Sequence, residues 1–364
     1  MKYVIQTFSP ILFPLLFVAI FVHSTPAYAQ FTLPGFSADL TLNTAPEYPS
    51  PGESVRLSVR SVLLDLSASE ITWYVNDVIA ASGTGVSELT VTAGPLGSET
   101  RIRAEIGGQN TGTFVAGALR PTEVDLLWEG DSYVPPFYRG RALPTAGGGV
   151  RLYTIPRFQR PGSASLVSTD DLIYTWRKNN RIIQSASGRG KNIALLEGPV
   201  LFGSDTFSVE TRTTDGELRG FASVRISSIE PMLVLYENHP VFGILYHRAL
   251  PAATRAAQAG LASETSIPEV EATLSAVPYF APVQNPDGDL LLYKWLVNNA
   301  VIENSLTRPS SITINAEGAD GRARIELELT HATNFFLSAR RAWTLTLAGS
   351  KNAGVSDPFQ PFNQ

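Results

Sequence analysis

An all-β chain of three tandem β-sandwich domains is what this sequence predicts, on three observations. First, three short segments follow one plan: Ile71–Asp77, Tyr174–Asn180 and Tyr293–Asn299. Each places one Trp (Trp73, Trp176, Trp295) in an alternating, β-rich run and closes it three residues later with Asn-Asp or Asn-Asn. A second such run follows each time, at Val78-Ile79, Arg181-Ile182-Ile183 and Val301-Ile302. Asn and Asp tolerate the left-handed backbone of a tight hairpin, so each segment reads as strand, two-residue turn, strand. Second, alternating runs recur with turn clusters between them at roughly 8–15 residues, the spacing of a sandwich. Third, no segment sustains a 3.6-residue apolar period, which leaves helix a minor component.

The predicted boundaries are a leader at 1–29, domains at 30–119, 120–229 and 230–348, and a disordered tail at 349–364. In the leader, Lys2 supplies the positive start, Ile11–Val22 an apolar run broken only by Pro14, and Ala27-Tyr28-Ala29 a small-x-small cleavage site. That run is shorter than the ~20 residues that span a bilayer. Two readings stay open, a cleaved signal peptide and an uncleaved N-terminal anchor. Either makes the chain exported, to the periplasm, the cell surface or beyond, with any membrane contact confined to the leader.

In the first domain Val55, Leu57 and Val59 alternate with Arg56, Ser58 and Arg60, and Arg101–Ile106 alternates again. The second and third domains repeat each other in detail. Trp128-Glu129 corresponds to Tyr236-Glu237, Tyr138 to Tyr246, and Arg141-Ala142-Leu143-Pro144 to Arg248-Ala249-Leu250-Pro251. Leu152–Phe158 corresponds to Leu274–Phe280. The third domain adds Ala252–Pro268, an Ala-, Ser- and Thr-rich insertion expected to be a surface loop with a helical turn near Ala256–Ala262. The junctions, near Arg120-Pro121-Thr122 and Ile229-Glu230-Pro231, are brief and centred on Pro, which predicts stiff alignment of successive domains.

Composition narrows the function classes. Hydrophobic residues at 44% and charged residues at 17% describe a globular chain. The net charge of −5, with Lys and Arg spread along the chain, argues against a nucleic-acid partner. Cysteine is absent, so packing alone must hold each core and no thiolate site exists. Outside the leader the histidines are His239, His247 and His331, without the i, i+4 spacing of a helical zinc motif. Neither a G-x-S-x-G elbow nor a P-loop occurs. The paired carboxylates Glu269/Glu271 and Glu326/Glu328 sit at strand alternation and read as a solvated face. An enzyme is not predicted.

The Trp strands carry a resemblance. They look like those of immunoglobulin-like and PKD-like sandwiches found in tandem in bacterial exported proteins. Asn285-Pro286-Asp287-Gly288-Asp289, running through Tyr293 to Trp295, is similar to the acidic run of PKD-like and cadherin-like repeats, with Asn at the first acidic position. The resemblance implies adhesion, spacing or display rather than catalysis.

Three residue sets are candidates. Trp73, Trp176 and Trp295 read as core residues between paired sheets. Asn285, Asp287 and Asp289 could offer oxygens to Ca²⁺, or could simply turn the chain into the Trp strand; no other cofactor is predicted. Trp128, Tyr133, Tyr138, Tyr236 and Tyr246 head the later domains. They read either as a platform for a partner protein or polysaccharide, or as wedges against the preceding domain or caps on their own sandwich. Glu129 with Arg141, and Glu237 with Arg248, are expected to pair across this segment. The functional expectation is a non-catalytic surface module contacting another protein or itself, with polysaccharide binding as the alternative.

Overall fold

A computed structural model of the chain describes residues 40–107, 113–200, 203–252, 271–303, 305–315 and 321–347, and the backbone alone at 265–267. The leader, the 349–364 tail and the helical turn expected at Ala256–Ala262 lie outside the described residues.

Three immunoglobulin-like sandwiches follow one another. The first contains β1 (Thr41–Ala45), β2 (Ser54–Arg60), β3 (Glu70–Val75), β4 (Val78–Thr84), β5 (Glu88–Thr92), β6 (Thr100–Ile106) and β7 (Thr113–Leu119). Its sheets run β1-β2-β5 and β4-β3-β6-β7. The second contains β8 (Glu123–Asp131), β9 (Gly149–Arg157), β10 (Ile173–Lys178), β11 (Arg181–Ile182), β12 (Gly188–Arg189), β13 (Ile193–Glu197), β14 (Ser204–Arg212) and β15 (Arg219–Ser227). Here the sheets run β8-β9-β13 and β11-β10-β14-β15, with β12 also paired to β10. The third contains β16 (Met232–His239), β17 (Gly243–Ala249), β18 (Thr265–Ile267), β19 (Glu271–Tyr279), β20 (Leu291–Val297), β21 (Ala300–Ile302), β22 (Ser311–Asn315), β23 (Gly321–His331) and β24 (Ser338–Leu347). Its sheets are β17-β16-β19-β22 and β18-β24-β23-β20-β21, where β18 pairs parallel to β24. Among the described residues the one helical element is a 3-10 turn at Thr169–Asp171.

Alternation decides which face each strand buries. Val55, Leu57 and Val59 are buried on β2, while Arg56 and Arg60 face water. The three tryptophans lie at the centres of three separate cores, with Trp73 beside Ile71 and Ala104, Trp176 beside Tyr174 and Val209, and Trp295 beside Tyr293 and Leu327. Each indole N–H is satisfied by a carbonyl across the sandwich: Val86 O at 2.7 Å, Lys191 O at 2.9 Å and Pro309 O at 3.0 Å. A buried indole without such an acceptor would be penalised, so the repeat preserves both the ring and its partner.

The hairpin turns repeat as closely. Asn76 and Asp77, Asn179 and Asn180, and Asn298 and Asn299 all adopt φ between 48° and 68°, the left-handed pair of a type I′ turn. The leading Asn has a second task. Its backbone N–H donates to Arg101, Thr206 or Arg324 O at 2.8 Å. Its side-chain oxygen accepts the same residue's N–H at 2.9 Å. The turn is thereby stitched to the neighbouring strand of its sheet, which a glycine could not do.

Register also gives every sandwich a polarity. Thr41 stands opposite Arg60, Glu123 opposite Arg157, and Met232 opposite Tyr279. The start of the first strand and the end of its partner therefore share one end of each sandwich, called here the leading end. The loop joining those two strands lies at the trailing end.

One sequence expectation is corrected. Glu326 does not belong to a solvated face: it is 5% exposed. Arg324 and Arg340 donate to its two carboxylate oxygens at 2.7 Å each and lie over it. These hydrogen bonds, that from Arg340 foremost, hold its carboxyl below the usual range.

Candidate functional site

Of the aromatic residues that head the later domains, Tyr133, Tyr138, Tyr236 and Tyr246 converge on the junction between the second and third sandwiches, while Trp128 packs against the core of its own sandwich. The loop from β8 to β9, residues 132–148, leaves the trailing end of the second sandwich and reaches the leading end of the third. There Tyr133 donates its N–H to Ala281 O and accepts the N–H of Phe280, both at 2.7 Å. This pair of main-chain bonds splices the loop onto the chain leaving β19. Tyr138 packs edge-on against Tyr279 and Phe280, with centroids 5.7 and 5.8 Å apart. Tyr236 meets the Tyr279 hydroxyl at 2.7 Å and the Tyr246 ring at 5.4 Å. The Tyr133 and Tyr246 hydroxyls share a further hydrogen bond.

Val134, Leu143 and Ile229 complete this apolar cluster. Polar bonds fix its margin: Asn334 donates to Ala146 O at 2.8 Å, and Ile229 N–H to Pro144 O at 3.0 Å. Burial pushes the Tyr133 hydroxyl up to about 12, with the Tyr246 hydroxyl adding to it. Tyr279 is raised by burial and then by its bond with Tyr236.

The second domain's segment thus wedges against the following domain, a direction outside the alternatives read from the sequence, while Tyr236 and Tyr246 of the third domain meet the loop of the preceding one. A chain reading alone cannot tell which end of a sandwich a loop leaves from; strand register can. The receiving residues Tyr279, Phe280 and Ala281 were not singled out from the sequence. Their signal was an aromatic pair where the strand aligned with Leu152–Phe158 should end.

The junction between the first and second sandwiches uses the same topology with fewer aromatic contacts. In the β1–β2 loop Pro49 O accepts the Thr122 N–H at 3.2 Å, and the Tyr48 ring stacks on Phe221 at 6.5 Å. Burial pushes Tyr48 up to about 12, followed by its hydrogen bond to Glu47. Gly97, at the trailing end, has φ +79° and lies against the Gln159 side chain of the second sandwich, whose amide carbon would stand 2.7 Å from a Cβ there.

The expected ion pairs divide. Glu237 and Arg248 pair at 3.1 Å. Glu129 and Arg141 do not: Glu129 meets Arg151 at 3.8 Å and the Tyr153 hydroxyl at 3.0 Å. Arg141 instead lies over the Trp128 ring, 4.3 Å from its centroid.

Asn285, Asp287 and Asp289 lie together in the turn before β20. The Asn285 side-chain oxygen accepts the Asp287 N–H at 3.1 Å, and Asp287 accepts the Ser310 N–H at 3.2 Å. Tyr293 ties the turn to its strand by donating to Pro286 O at 2.9 Å, as Tyr174 donates to Thr169 O at 3.1 Å in the second sandwich. The Asn285 oxygen and one Asp287 oxygen are thus engaged in shaping an Asx turn into the Trp strand. Among the described residues no group of three or more His, Asp or Glu is placed to hold a metal.

A cleft of about 620 Å³ at the trailing end of the third sandwich gathers Glu237, His239, Glu271 and Arg308. Two of these groups shape the loop. Glu237 holds Arg248, and the His239 Nδ1 accepts the N–H groups of Val241 and Phe242 at 3.1 and 3.3 Å.

No family model matches the chain, and no curated protein matches it. Solved structures similar to it are tandem modules. The central fibronectin-III array of RIM-binding protein aligns at 11% identity over 87% of this chain and 99% of that one, with a TM-score of 0.28. Three N-terminal domains of the bacteriophage RB49 highly immunogenic outer capsid protein align at 11% over 85% and 98%, TM-score 0.25. The fibronectin(III)-like modules of Clostridium thermocellum CbhA align at 14% over 52% and 93%, TM-score 0.25. The sheet orders and the three tryptophan-centred cores establish the fold.

Proposed function

We propose that the chain is a non-catalytic, exported structural or adhesion element, divided at 119/120 and 229/230, whose sandwiches are held in fixed relation to present a protein-binding surface outside the cytoplasm. The observation that carries this reading is the aromatic junction of Tyr133, Tyr138, Tyr236, Tyr246, Tyr279 and Phe280. It spends on inter-domain packing the very residues a ligand site would need. A brief Pro-centred linker already limits swing, and a spliced main chain with a buried aromatic cluster adds a packed interface to that stiffness. PKD-like kinship of the third domain belongs to the same reading and rests on its acidic turn.

Small-angle X-ray scattering of the full chain tests the proposal. The wild type should fit one inter-domain arrangement, and Tyr133→Ala with Tyr138→Ala should broaden the distance distribution while circular dichroism stays unchanged. A wild type that already scatters as independently moving domains sinks it. Polysaccharide binding is the alternative, but Trp128 carries Arg141 over its ring and Tyr236 is buried. Neither is free to stack on a sugar, and retention on insoluble polysaccharide is expected to be nil.

A further inference from the structure

We propose that the chain assembles head to tail with copies of itself, the trailing tip of the third sandwich docking on the leading end of the first sandwich of the next copy. This rests on the reading above, because it extends the chain's own junction rule to its two ends. The rule has two instances within the chain. The first-to-second-strand loop of one sandwich carries a Tyr onto the sandwich that follows, Tyr48 onto Phe221 and Tyr133 onto Phe280 and Ala281. In the better-packed instance the receiving surface is the chain just after the second strand, where β19 ends.

Both halves of a third instance are present and apolar. At the trailing tip of the third sandwich Val241 and Phe242 occupy the sequence positions of Tyr133 and Val134, and they are 79% and 73% exposed. At the leading end of the first sandwich, just after β2 ends, Val62, Leu63 and Leu64 are 92%, 79% and 40% exposed. Neither tip is loose chain. The His239 ring accepts the N–H groups of Val241 and Phe242 and lies 4.8 Å from the Phe242 ring. The Ser61 hydroxyl accepts the N–H groups of Leu63 and Leu64 at 3.2 and 2.8 Å. Apolar side chains held outward by local hydrogen bonds lose little freedom on docking, which is what a preorganised contact requires.

The two surfaces differ and sit at opposite ends, so the contact is heterologous. Such contacts propagate as open chains unless the rotation closes a ring.

Sedimentation velocity of the exported, purified chain across a wide concentration range tests this. The expected result is a mass that grows with concentration. Phe242→Asp and Leu63→Asp should each weaken assembly about tenfold or more, the effect of losing one well-packed anchor. Both positions are exposed, and unchanged thermal melting confirms that each variant folds. Mixing the two variants is the sharper arm. One intact tip and one intact receiving end remain, so the mixture should form a one-to-one dimer that grows no further. A monomer at every concentration overturns the proposal, as does assembly that survives both substitutions or a mixture that stays monomeric. A monomer result leaves the fixed-array reading standing, because scattering reads that within one chain.

Discussion

The second and third sandwiches carry the same Trp/Tyr-Glu start and the same Arg-Ala-Leu-Pro return, yet the segments between them do different things. In the second, the segment leaves the sheet and splices onto another domain. In the third, it folds back as β17 and pairs with β16, with a register irregularity between Tyr236 and Asn238. One position accounts for much of the contrast. Gly130 N–H donates to Ala142 O at 2.7 Å, and a Cβ at Gly130 would meet the Leu143 carbonyl carbon and the Pro144 nitrogen at 2.5 Å. The return segment can cross there only because no side chain exists. The third sandwich has Asn238 at that position, whose amide donates to Ser275 at 2.9 Å, and the return segment lies alongside as a strand instead. Repeated sequence therefore fixed the anchor points of the loop, and one residue's size chose its path.

The largest expected effect tests the docking half of that contrast. Tyr133→Ala should cost about 2 kcal/mol, less than a fully buried aromatic truncation because the residue is only partly buried. In urea it should also separate the transitions of the second and third sandwiches. Phe242→Ala, at the corresponding tip, should change stability by less than about 0.5 kcal/mol.

Next comes the steric switch. Gly130→Asn should destabilise by about 1–3 kcal/mol through overpacking against the backbone, whereas Asn238→Gly should cost less than about 1 kcal/mol. Comparable effects at the two positions would break the account.

The arginines should differ modestly. Arg141→Ala removes a cation–π contact of about 0.5–1 kcal/mol. Arg248→Ala removes an exposed ion pair of about 0–1 kcal/mol that screening by salt should erase. Thermal melts at low and high salt separate the two.

Alkaline pH gives a subtler reading. The Tyr133 hydroxyl is raised to about 12 from its ordinary value of 10.0. The folded state then holds a proton that the unfolded chain has released, so this stability is complete below pH 10 and is lost as pH rises toward 12. Denaturant midpoints should fall across that window, and fall less steeply in Tyr133→Phe, the remainder coming from the other tyrosines that burial raises, Tyr48, Tyr174, Tyr246, Tyr279 and Tyr293. The smallest effect concerns the turns preceding β10 and β20: millimolar Ca²⁺ should leave melting unchanged in both sandwiches.

What could be read from the chain was whatever local geometry dictates. Alternation at Val55, Leu57 and Val59, and the Asn pairs after each Trp, specify strands, faces and turns, because side-chain period and left-handed backbone are properties of neighbouring residues. The stitching by Asn76, Asn179 and Asn298 was not legible, since its partners stand 25 to 27 residues away. Nor was the burial of Glu326, which depends on Arg340 arriving from the next strand.

By itself the sequence determined three sulfur-free sandwiches and the indole at the centre of each. Only the tertiary structure decided that Tyr133 and Tyr138 serve a neighbouring domain and that Glu129 and Arg141 stay apart. The physical reason is that a loop's destination depends on strand register and on space at a crossing such as Gly130. Both are set by atoms far along the chain.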